Sequence, residues 1–247
     1  MWRTFTERIW GDTVKKSTFF SVLAILVLIP ATLFLGTQLR GKWHYLTSTL
    51  VILEAMLPFF LLFEARRPQA RELVTIAVMA ALAVAGRVAI PIPNFKAITG
   101  IVMITGMAFG PQAGFMTGAI SAFASNFFYG QGAYTPWQMM AYGAGGMLAG
   151  FCFAKGRLPQ KPWVMAVFGF FATILWVGPL LDCSHIFLML SVINRESVLA
   201  ALLSSFPVNL SQAICTVLIM LLFGRALLDK LDRVKTKYGM MEDEDGL

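Results

Sequence analysis

The chain has 247 residues, of which 57% are hydrophobic and only 13% are charged, and its formal net charge is +7. Soluble domains use about 25% charged residues, so this composition excludes an ordinary soluble protein and indicates an integral membrane protein. The basic residues lie beside apolar stretches, where membrane topology and anionic lipid explain them, so we predict no nucleic-acid partner.

Apolar stretches recur along the chain. A transmembrane helix needs about 20 consecutive, mainly apolar residues. We predict spans at roughly 18–36, 46–63, 73–90, 112–129, 136–154, 163–181 and 198–224. A shorter stretch at 97–109 is bounded by Lys96 and by the Gly110-Pro111 turn. If this stretch crosses the membrane or re-enters it, the chain has about eight spans. The predicted fold is an all-α integral membrane protein.

Charge placement supports the count of eight, because basic residues concentrate in cytoplasmic segments. With the N-terminus inside, 15 of the 20 basic residues lie on the cytoplasmic side. The opposite side keeps only Arg40, Lys42, Arg87, Lys96 and Arg195. We therefore predict a multi-pass protein of the cell membrane with both termini in the cytoplasm.

Three regions are predicted along the chain. Residues 1–72 hold an N-terminal cytoplasmic segment, two extra transmembrane helices and a basic linker; 73–225 form a six-span core; 226–247 form a charged cytoplasmic tail. Glu54 lies near the middle of the second span, where an ionised carboxylate costs at least a few kcal/mol. We expect Glu54 to be protonated or paired across the bundle, or else to carry a function.

Small residues form rows on two core spans. Ala77, Ala81 and Ala85 recur every four residues and so share one helix face. Such a face lets another helix approach closely, either within this bundle or from a partner protein. A second row, Gly114, Gly118 and Ala122, reaches Asn126 at its next step of four.

The stretch NFFYGQGAYTPWQ, residues 126–138, places amides and aromatic rings in one short outer turn. An aromatic belt at the membrane interface explains tyrosine and tryptophan there, but buried amides need partners. Binding pockets combine an aromatic lining with a few polar groups. The candidate substrate-binding residues are Asn126, Tyr129, Gln131, Tyr134, Trp137, Gln138 and Tyr142.

Further polar residues flank this stretch on the outer side. Arg87 and Lys96 are candidates to pair with an anionic group, and the loop 182–197 adds Asp182 and His185. In the last span Asn209 and Gln212 lie one helical turn apart. They form either a polar wall of the cavity, with Asn209 as a binding residue, or interhelical hydrogen bonds.

Motifs of catalysis are missing from the sequence. It has no G-x-x-x-x-G-K-[ST] phosphate loop, no H-E-x-x-H pair and no G-x-S-x-G elbow. The two histidines are far apart, and the three cysteines are odd in number and widely spaced. We therefore predict no enzyme, no catalytic residues, no metal site and no cofactor bound for catalysis.

The alanine stripe, the six-span core and the run from NFKAITGIVMITGMAFGPQAGFMTG through NFFYGQGAYTPWQ to MMAYGAGGMLAG resemble the substrate-binding S components of energy-coupling factor (ECF) vitamin transporters. The resemblance covers about 73–225. It implies that the chain binds a vitamin from outside and works with a transmembrane coupling subunit and two cytosolic ATPase subunits. It also implies that Ala77, Ala81 and Ala85 face the coupling subunit.

The resemblance is nearest to S components for cobalamin-type or related large cofactors, while riboflavin and a queuosine precursor stay open. The two extra N-terminal spans depart from the six spans that are usual in that family. Two other functions stay open as well. One is a self-sufficient secondary transporter with Glu54 as proton carrier, and the other is a membrane structural or assembly protein.

Overall fold

A computed structural model describes residues 27–38, 43–65, 69–90, 92–190 and 194–238. Within these ranges the regular elements are helices. The predicted cytoplasmic N-terminus, Arg40, Lys42, the linker arginines Arg66 and Arg67, and the acidic end 239–247 lie outside the described residues. The chain divides into two compact units, Met1–Pro68 and Gln69–Leu247.

The first unit contains α1 (Ile29–Gln38) and α2 (Trp43–Ala65). The two helices pack together, and the hydroxyl of Thr32 in α1 donates a hydrogen bond of 2.6 Å to Oε1 of Glu54 in α2. The second carboxylate oxygen, Oε2, is buried and accepts no hydrogen bond from the residues that the structure describes. Glu54 is therefore paired across the two helices through only one of its oxygens.

The second unit begins with four helices: α3 (Ala70–Val88), α4 (Ile98–Phe109), α5 (Pro111–Tyr129) and α6 (Thr135–Phe153). A proline stands in the first turn of α5 and of α6, where its missing N–H costs no intrahelical bond. Gly110 and Gly130, with φ of 91° and 97°, occupy the turns before α5 and after it. These left-handed turns need glycine, so the sequence fixes where α5 begins and ends.

The short stretch 97–109 is the central helix of this unit. All twelve residues of α4 are buried, whereas a helix of this length spans only about 18 Å. Its apolar surface is covered by neighbouring helices, chiefly α5 and α6. The apolar character of the segment thus reflects burial inside the protein, and its length is less than the bilayer's hydrocarbon thickness of about 30 Å.

Glycines bring α5 and α6 into backbone contact. A Cβ atom on Gly114 would lie 2.5 Å from the carbonyl oxygen of Gly146, and one on Gly118 would lie 2.5 Å from the carbonyl carbon of Tyr142. No side chain fits at these positions, because carbon atoms pack at about 3.5–4.0 Å. The predicted row Gly114, Gly118, Ala122 therefore lies on the face of α5 that meets the backbone of α6.

Two long helices complete the unit, α7 (Pro162–Met189) and α8 (Arg195–Tyr238), and each is long and apolar enough to cross a membrane. Shorter apolar segments occur at Leu46–Leu61 and Ile98–Phe109. Both long helices contain a π-helical turn, at Thr173–Val177 and at Met220–Gly224. The first π turn comes directly before Gly178-Pro179, so α7 accommodates an internal proline without ending.

Two boundaries differ from those predicted. The loop expected at 182–197 is shorter, because α7 continues to Met189 and α8 starts at Arg195, where Asn194 forms a capping box with Ser197. The region expected as a charged tail from 226 is helical up to Tyr238. Its charged residues obscured an amphipathic pattern in which Leu228 and Leu231 are buried.

The last turns of α8 return to the body of the second unit. The segment Arg225–Tyr238 packs against α4. The guanidinium of Arg71 donates a hydrogen bond of 2.9 Å to the carbonyl oxygen of Tyr238 and lies 5.6 Å from the centre of its ring. The start of α3 and the end of α8 are therefore joined at the end of the unit opposite to the turn 130–134.

Candidate functional site

Polar side chains gather where α3, α5 and α7 end and where α4, α6 and α8 begin. Short connections at 89–97 and 130–134 join these helix ends. The buried polar residues at this end come from every one of the six helices: Arg87, Thr99, Ser125, Asn126, Thr135, Asp182, Asn209 and Gln212. In a mainly apolar helical unit, this end therefore holds a concentration of buried side chains that can form hydrogen bonds.

Arg87, in the last turn of α3, is the centre of the largest cluster. Its side chain is only 8% exposed. Nη1 donates hydrogen bonds to the hydroxyl of Ser125 and, at 3.1 Å, to Oδ1 of Asn126. Nη2 donates a longer hydrogen bond of 3.4 Å to Oε1 of Gln138. All three acceptors are neutral, so they hold the guanidinium in place without cancelling its charge.

Asn126 links α5 to α6. Its amide nitrogen donates to the hydroxyl of Thr135 at 3.1 Å and to Oε1 of Gln138 at 2.9 Å. The side chain is fully buried, two helical turns beyond the contact of Gly118 with Tyr142. The predicted path, in which a row of small residues directs Asn126 into a polar site, corresponds to the observed packing.

Aromatic faces surround the guanidinium. Its carbon lies 5.0 Å from the ring centre of Tyr129 and 5.8 Å from that of Tyr142, distances typical of cation–π contacts. The hydroxyl of Tyr129 donates to the main-chain oxygen of Arg87 at 2.8 Å. Nζ of Lys96 lies 5.6 Å from the same Tyr129 ring and donates to the oxygen of Ile90. Six of the predicted residues, Arg87, Lys96, Asn126, Tyr129, Gln138 and Tyr142, thus form one cluster.

Gln212 of α8 joins the cluster through Tyr142. Its amide nitrogen donates to the hydroxyl of Thr99 at 2.8 Å and to that of Tyr142 at 3.3 Å. Thr99 is in the first turn of α4, so this chain of contacts connects α4, α6 and α8. Gln212 is accordingly a member of the polar wall and at the same time makes interhelical hydrogen bonds.

Trp137 lies on a neighbouring surface of α6. Its ring stacks on Phe187 of α7, with ring centres 5.5 Å apart and planes inclined by 18°. The residue is 92% buried, since its exposed fraction is 8%, yet its indole N–H has no acceptor in the described part of the chain. Buried donors are normally satisfied, so this N–H is an exception among the described residues.

Asn209 belongs to a separate pair rather than to the Arg87 cluster. Its amide nitrogen donates to Oδ2 of Asp182 at 2.8 Å, and both residues are buried. A Cβ atom on Gly178 would lie 2.7 Å from the amide carbon of Asn209, so glycine makes room for this side chain. The pair joins the end of α7 to α8.

Gln131 and Tyr134 shape the turn that covers the start of α6. Gln131 donates to the oxygen of Phe123 at 2.9 Å and accepts from the hydroxyl of Thr135 at 2.9 Å. Tyr134 donates to the oxygen of Gly130 at 2.5 Å. The structure therefore places these two residues in contacts with the turn itself and not with Arg87.

The alanine stripe lies on the outer surface of α3. Ala77, Ala81 and Ala85 are exposed. Together with residues of α5 they line an open apolar groove of about 540 Å³ whose other walls include Ile120, Ala124 and Phe128. A groove floored by methyl groups can accept a helix or another elongated apolar surface at close range.

Sequence reasoning missed Ser125, Thr135 and Thr99. Ser125 and Thr99 sit in apolar stretches, where serine and threonine usually bond to their own helix, and Ser125 does also donate to the oxygen of Ala122. Thr135 could have been found from its position nine residues after Asn126 across a glycine turn. Thr99 carries no such signal, because its partner Gln212 is 113 residues away.

Comparison with known proteins gives one family. The model of the family described as ECF-type riboflavin transporter, S component, matches residues 68–229, which is more than half of the chain. No curated protein and no solved structure gives a match. S components are membrane-integral, substrate-binding subunits of vitamin transporters and not enzymes. The chain belongs to the family of ECF-type riboflavin transporter S components.

Proposed function

We propose that this chain captures a riboflavin-type vitamin at the polar end of its second unit and delivers it across the membrane. Delivery is proposed to use a transmembrane coupling subunit and two cytosolic ATPase subunits, as the resemblance to S components implies, and the sequence has no phosphate-binding loop of its own. The observation that supports capture most strongly is the cluster around Arg87, in which buried polar groups and aromatic faces converge from several helices.

A flavin-like substrate is favoured over the cobalamin-type substrate that the sequence resemblance suggested. The family match is to riboflavin transporter S components and gives no support to cobalamin. The aromatic groups at this end, Tyr129, Tyr142 and the Trp137–Phe187 stack, suit a planar ring system that packs against aromatic faces. The neighbouring amides supply both donors and acceptors for its polar edge.

The contacts support the following proposed binding roles. Gln138 and Gln212 are proposed to exchange hydrogen bonds with the substrate, and Tyr129 and Tyr142 to pack against it. Asn126, which is fully buried, is proposed to support binding by orienting Gln138 and Arg87. Gln131 and Tyr134 hold the turn over the site, and Trp137 offers an unpaired indole N–H. Asn209 acts together with Asp182 at the α7–α8 side.

The groove along Ala77, Ala81 and Ala85 is the proposed docking surface for the coupling subunit. It is apolar, open and lined by small side chains, as close approach of another transmembrane helix requires. Under this proposal the Arg87 end faces outward, α3 to α8 form the six spans of the transport core, and both termini are cytoplasmic.

The docking role is tested by substituting Ala81→Leu and Ala85→Leu in the groove. Vitamin binding by the purified protein should persist, while uptake by cells or vesicles that contain the whole transporter should be lost. Leu82→Met, on the same helix and also exposed but about 100° around it from Ala81, is the matched control and should leave uptake unchanged. Normal uptake by the alanine variants would contradict the docking role.

A secondary transporter is the second candidate, because Oε2 of Glu54 is buried without a hydrogen-bond partner among the described residues. A buried carboxyl of this kind suits a proton carrier. Vesicles that contain only this chain separate the two functions. Vitamin uptake driven by a proton gradient and abolished by Glu54→Gln would support the second candidate and contradict the first.

A further inference from the structure

The Arg87 cluster contains positive charge that nothing in the described protein neutralises. Arg87 and Lys96 both lie over the ring of Tyr129, at 5.0 and 5.6 Å. Across the described ranges no carboxylate forms an ion pair with either of them. Asp182, the buried acid at the same end, is bonded to Asn209.

A buried cation of this kind is costly. Removing a charged group from water has a large free-energy cost even after the protein relaxes, unless an opposite charge is close. Neutral amides and hydroxyls recover only part of that free energy. An anion bound beside Arg87 would offset this cost, so the arrangement suits a site that binds an anionic group.

The guanidinium also retains free donors. Arginine has five N–H groups in a planar fork. Three hydrogen bonds, to Ser125, Asn126 and Gln138, use both protons of Nη1 and one of Nη2. In the described part of the chain, Nε–H and the other Nη2–H have no acceptor. A carboxylate or phosphate group accepts two N–H bonds of this type and compensates the charge at the same time.

Lys96 can contribute to the same anion. Its ammonium has three donors, of which one is used by the oxygen of Ile90. The connection 89–97 that carries Lys96 is anchored at its end by a hydrogen bond from Ala97 N to the oxygen of Gly86. The two cations therefore approach the Tyr129 ring from α3 and from the connection that follows it.

We propose that the substrate of this chain carries an anionic group, a phosphate or a carboxylate, which pairs with Arg87 and is supported by Lys96. This inference rests on the proposed function and narrows its substrate class, because riboflavin itself is neutral. The favoured flavin is one that bears a phosphate. The rings of Tyr129 and Tyr142 lie 5.0 and 5.8 Å from the guanidinium carbon and form the aromatic surroundings of this pairing.

The test compares compounds that differ by one anionic group: riboflavin 5′-phosphate with riboflavin, biotin with biotinamide, and pantothenate with pantothenol. Binding constants are measured for the purified chain and for the variants Arg87→Gln, Arg87→Lys and Lys96→Gln. Arg157→Gln is the matched control, because Arg157 is exposed and bonded only to the oxygen of Phe151 among described residues.

We expect the anionic member of the bound pair to bind at least about tenfold more tightly than the neutral member, since charge-assisted hydrogen bonds are roughly twice as strong as neutral ones. Arg87→Gln should reduce this ratio to about one, Lys96→Gln should reduce it less, and Arg157→Gln should leave it unchanged. If Arg87→Gln does not fold, tighter binding of the anionic compound by both the wild type and Arg87→Lys supports the inference.

Two results would overturn the inference and leave the proposed function intact. One is tighter binding of the neutral compound to the wild type, and the other is an unchanged ratio in Arg87→Gln. Binding of no compound by the wild type would contradict the proposed function itself and the inference with it. A third result would also refute the inference: added phosphatidylglycerol stabilises the protein only when Arg87 is present, and no pair shows tighter binding of its anionic compound. Arg87 would then be assigned to binding an anionic lipid.

Discussion

Gly118→Ala should separate α5 from α6 at the point that supports the site. The added Cβ would lie 2.5 Å from the carbonyl carbon of Tyr142 and 2.6 Å from both Tyr142 O and Gly143 N. Carbon atoms pack at about 3.5 Å or more, so the helices must move apart by roughly 1 Å. Because the obstacle is backbone, no side-chain rotation can relieve the contact.

The expected cost is about 1–3 kcal/mol, which is typical of adding a methylene to a well-packed interior. For chains of this size, each kcal/mol lowers the melting temperature by about 2–4 °C, so the expected decrease is about 2–12 °C. Displacement of Tyr142 also weakens its contacts with Gln212 and Arg87. We therefore expect weaker vitamin binding as well as a lower melting temperature.

The assay is thermal unfolding of the detergent-purified protein together with a binding titration. Gly224→Ala is the matched control, because the nearest atom to its Cβ is the flexible end of Met165 at 3.0 Å and the next lies at 3.9 Å. Alanine is also the better helix former, so the control should be neutral or slightly stabilising. Equal melting temperatures for the two variants would refute the reasoning from backbone contact.

Three further predictions concern single side chains. Trp137→Phe keeps the stack on Phe187 but removes the unpaired buried N–H. The ligand-free protein should therefore be as stable as the wild type or more stable, by about 1–3 kcal/mol, while vitamin binding weakens. Unchanged binding would contradict the role of the N–H. Asn126→Leu leaves the acceptor Gln138 and the hydroxyl of Thr135 without their partner, and a lower melting temperature with loss of binding is expected in the same two assays. Leu228→Ala removes a fully buried side chain near the end of α8 and should lower the free energy of unfolding by about 2–5 kcal/mol while binding is retained. Loss of binding in the folded variant would contradict the separation of the end of α8 from the site.

Much of the helical core could be predicted from the sequence because local signals were strong. The glycine turns at 110 and 130 and the prolines that follow them mark the ends of α5 and the start of α6. The four-residue spacing that leads from Gly114 to Asn126 placed the amide on the buried face. In each case, the deciding interaction involves residues close in sequence.

Features that depend on distant residues were not predictable. Nothing local indicates that Thr99 meets Gln212, or that Asn209 selects Asp182 as its partner. Helix α7 was predicted to end near 181 because polar residues follow, yet Asp182 is buried and bonded there. In the sequence, polar residues inside a long helix look like those of a loop, unless their hydrogen-bond partners in another helix are known.

The substrate type also lay beyond the sequence pattern. Amides and aromatic rings at 126–138 indicate a pocket but suit both a large cofactor and a flavin. The resemblance favoured the cobalamin type, whereas the family match is to riboflavin transporter S components. Ligand identity depends on the three-dimensional spacing of Arg87, Asn126, Gln138 and the two tyrosines, which come from three helices.

Capture of a vitamin by this chain alone is tested most directly by equilibrium binding of flavins to the purified protein, without nucleotide and without any other protein. We predict saturable, equimolar binding of a flavin, reported by quenching of its fluorescence, that is weakened by Asn126→Leu and unaffected by Ala81→Leu. Absence of saturable flavin binding to a folded wild-type chain, or binding that appears only when ATPase subunits are added, would contradict the proposed function.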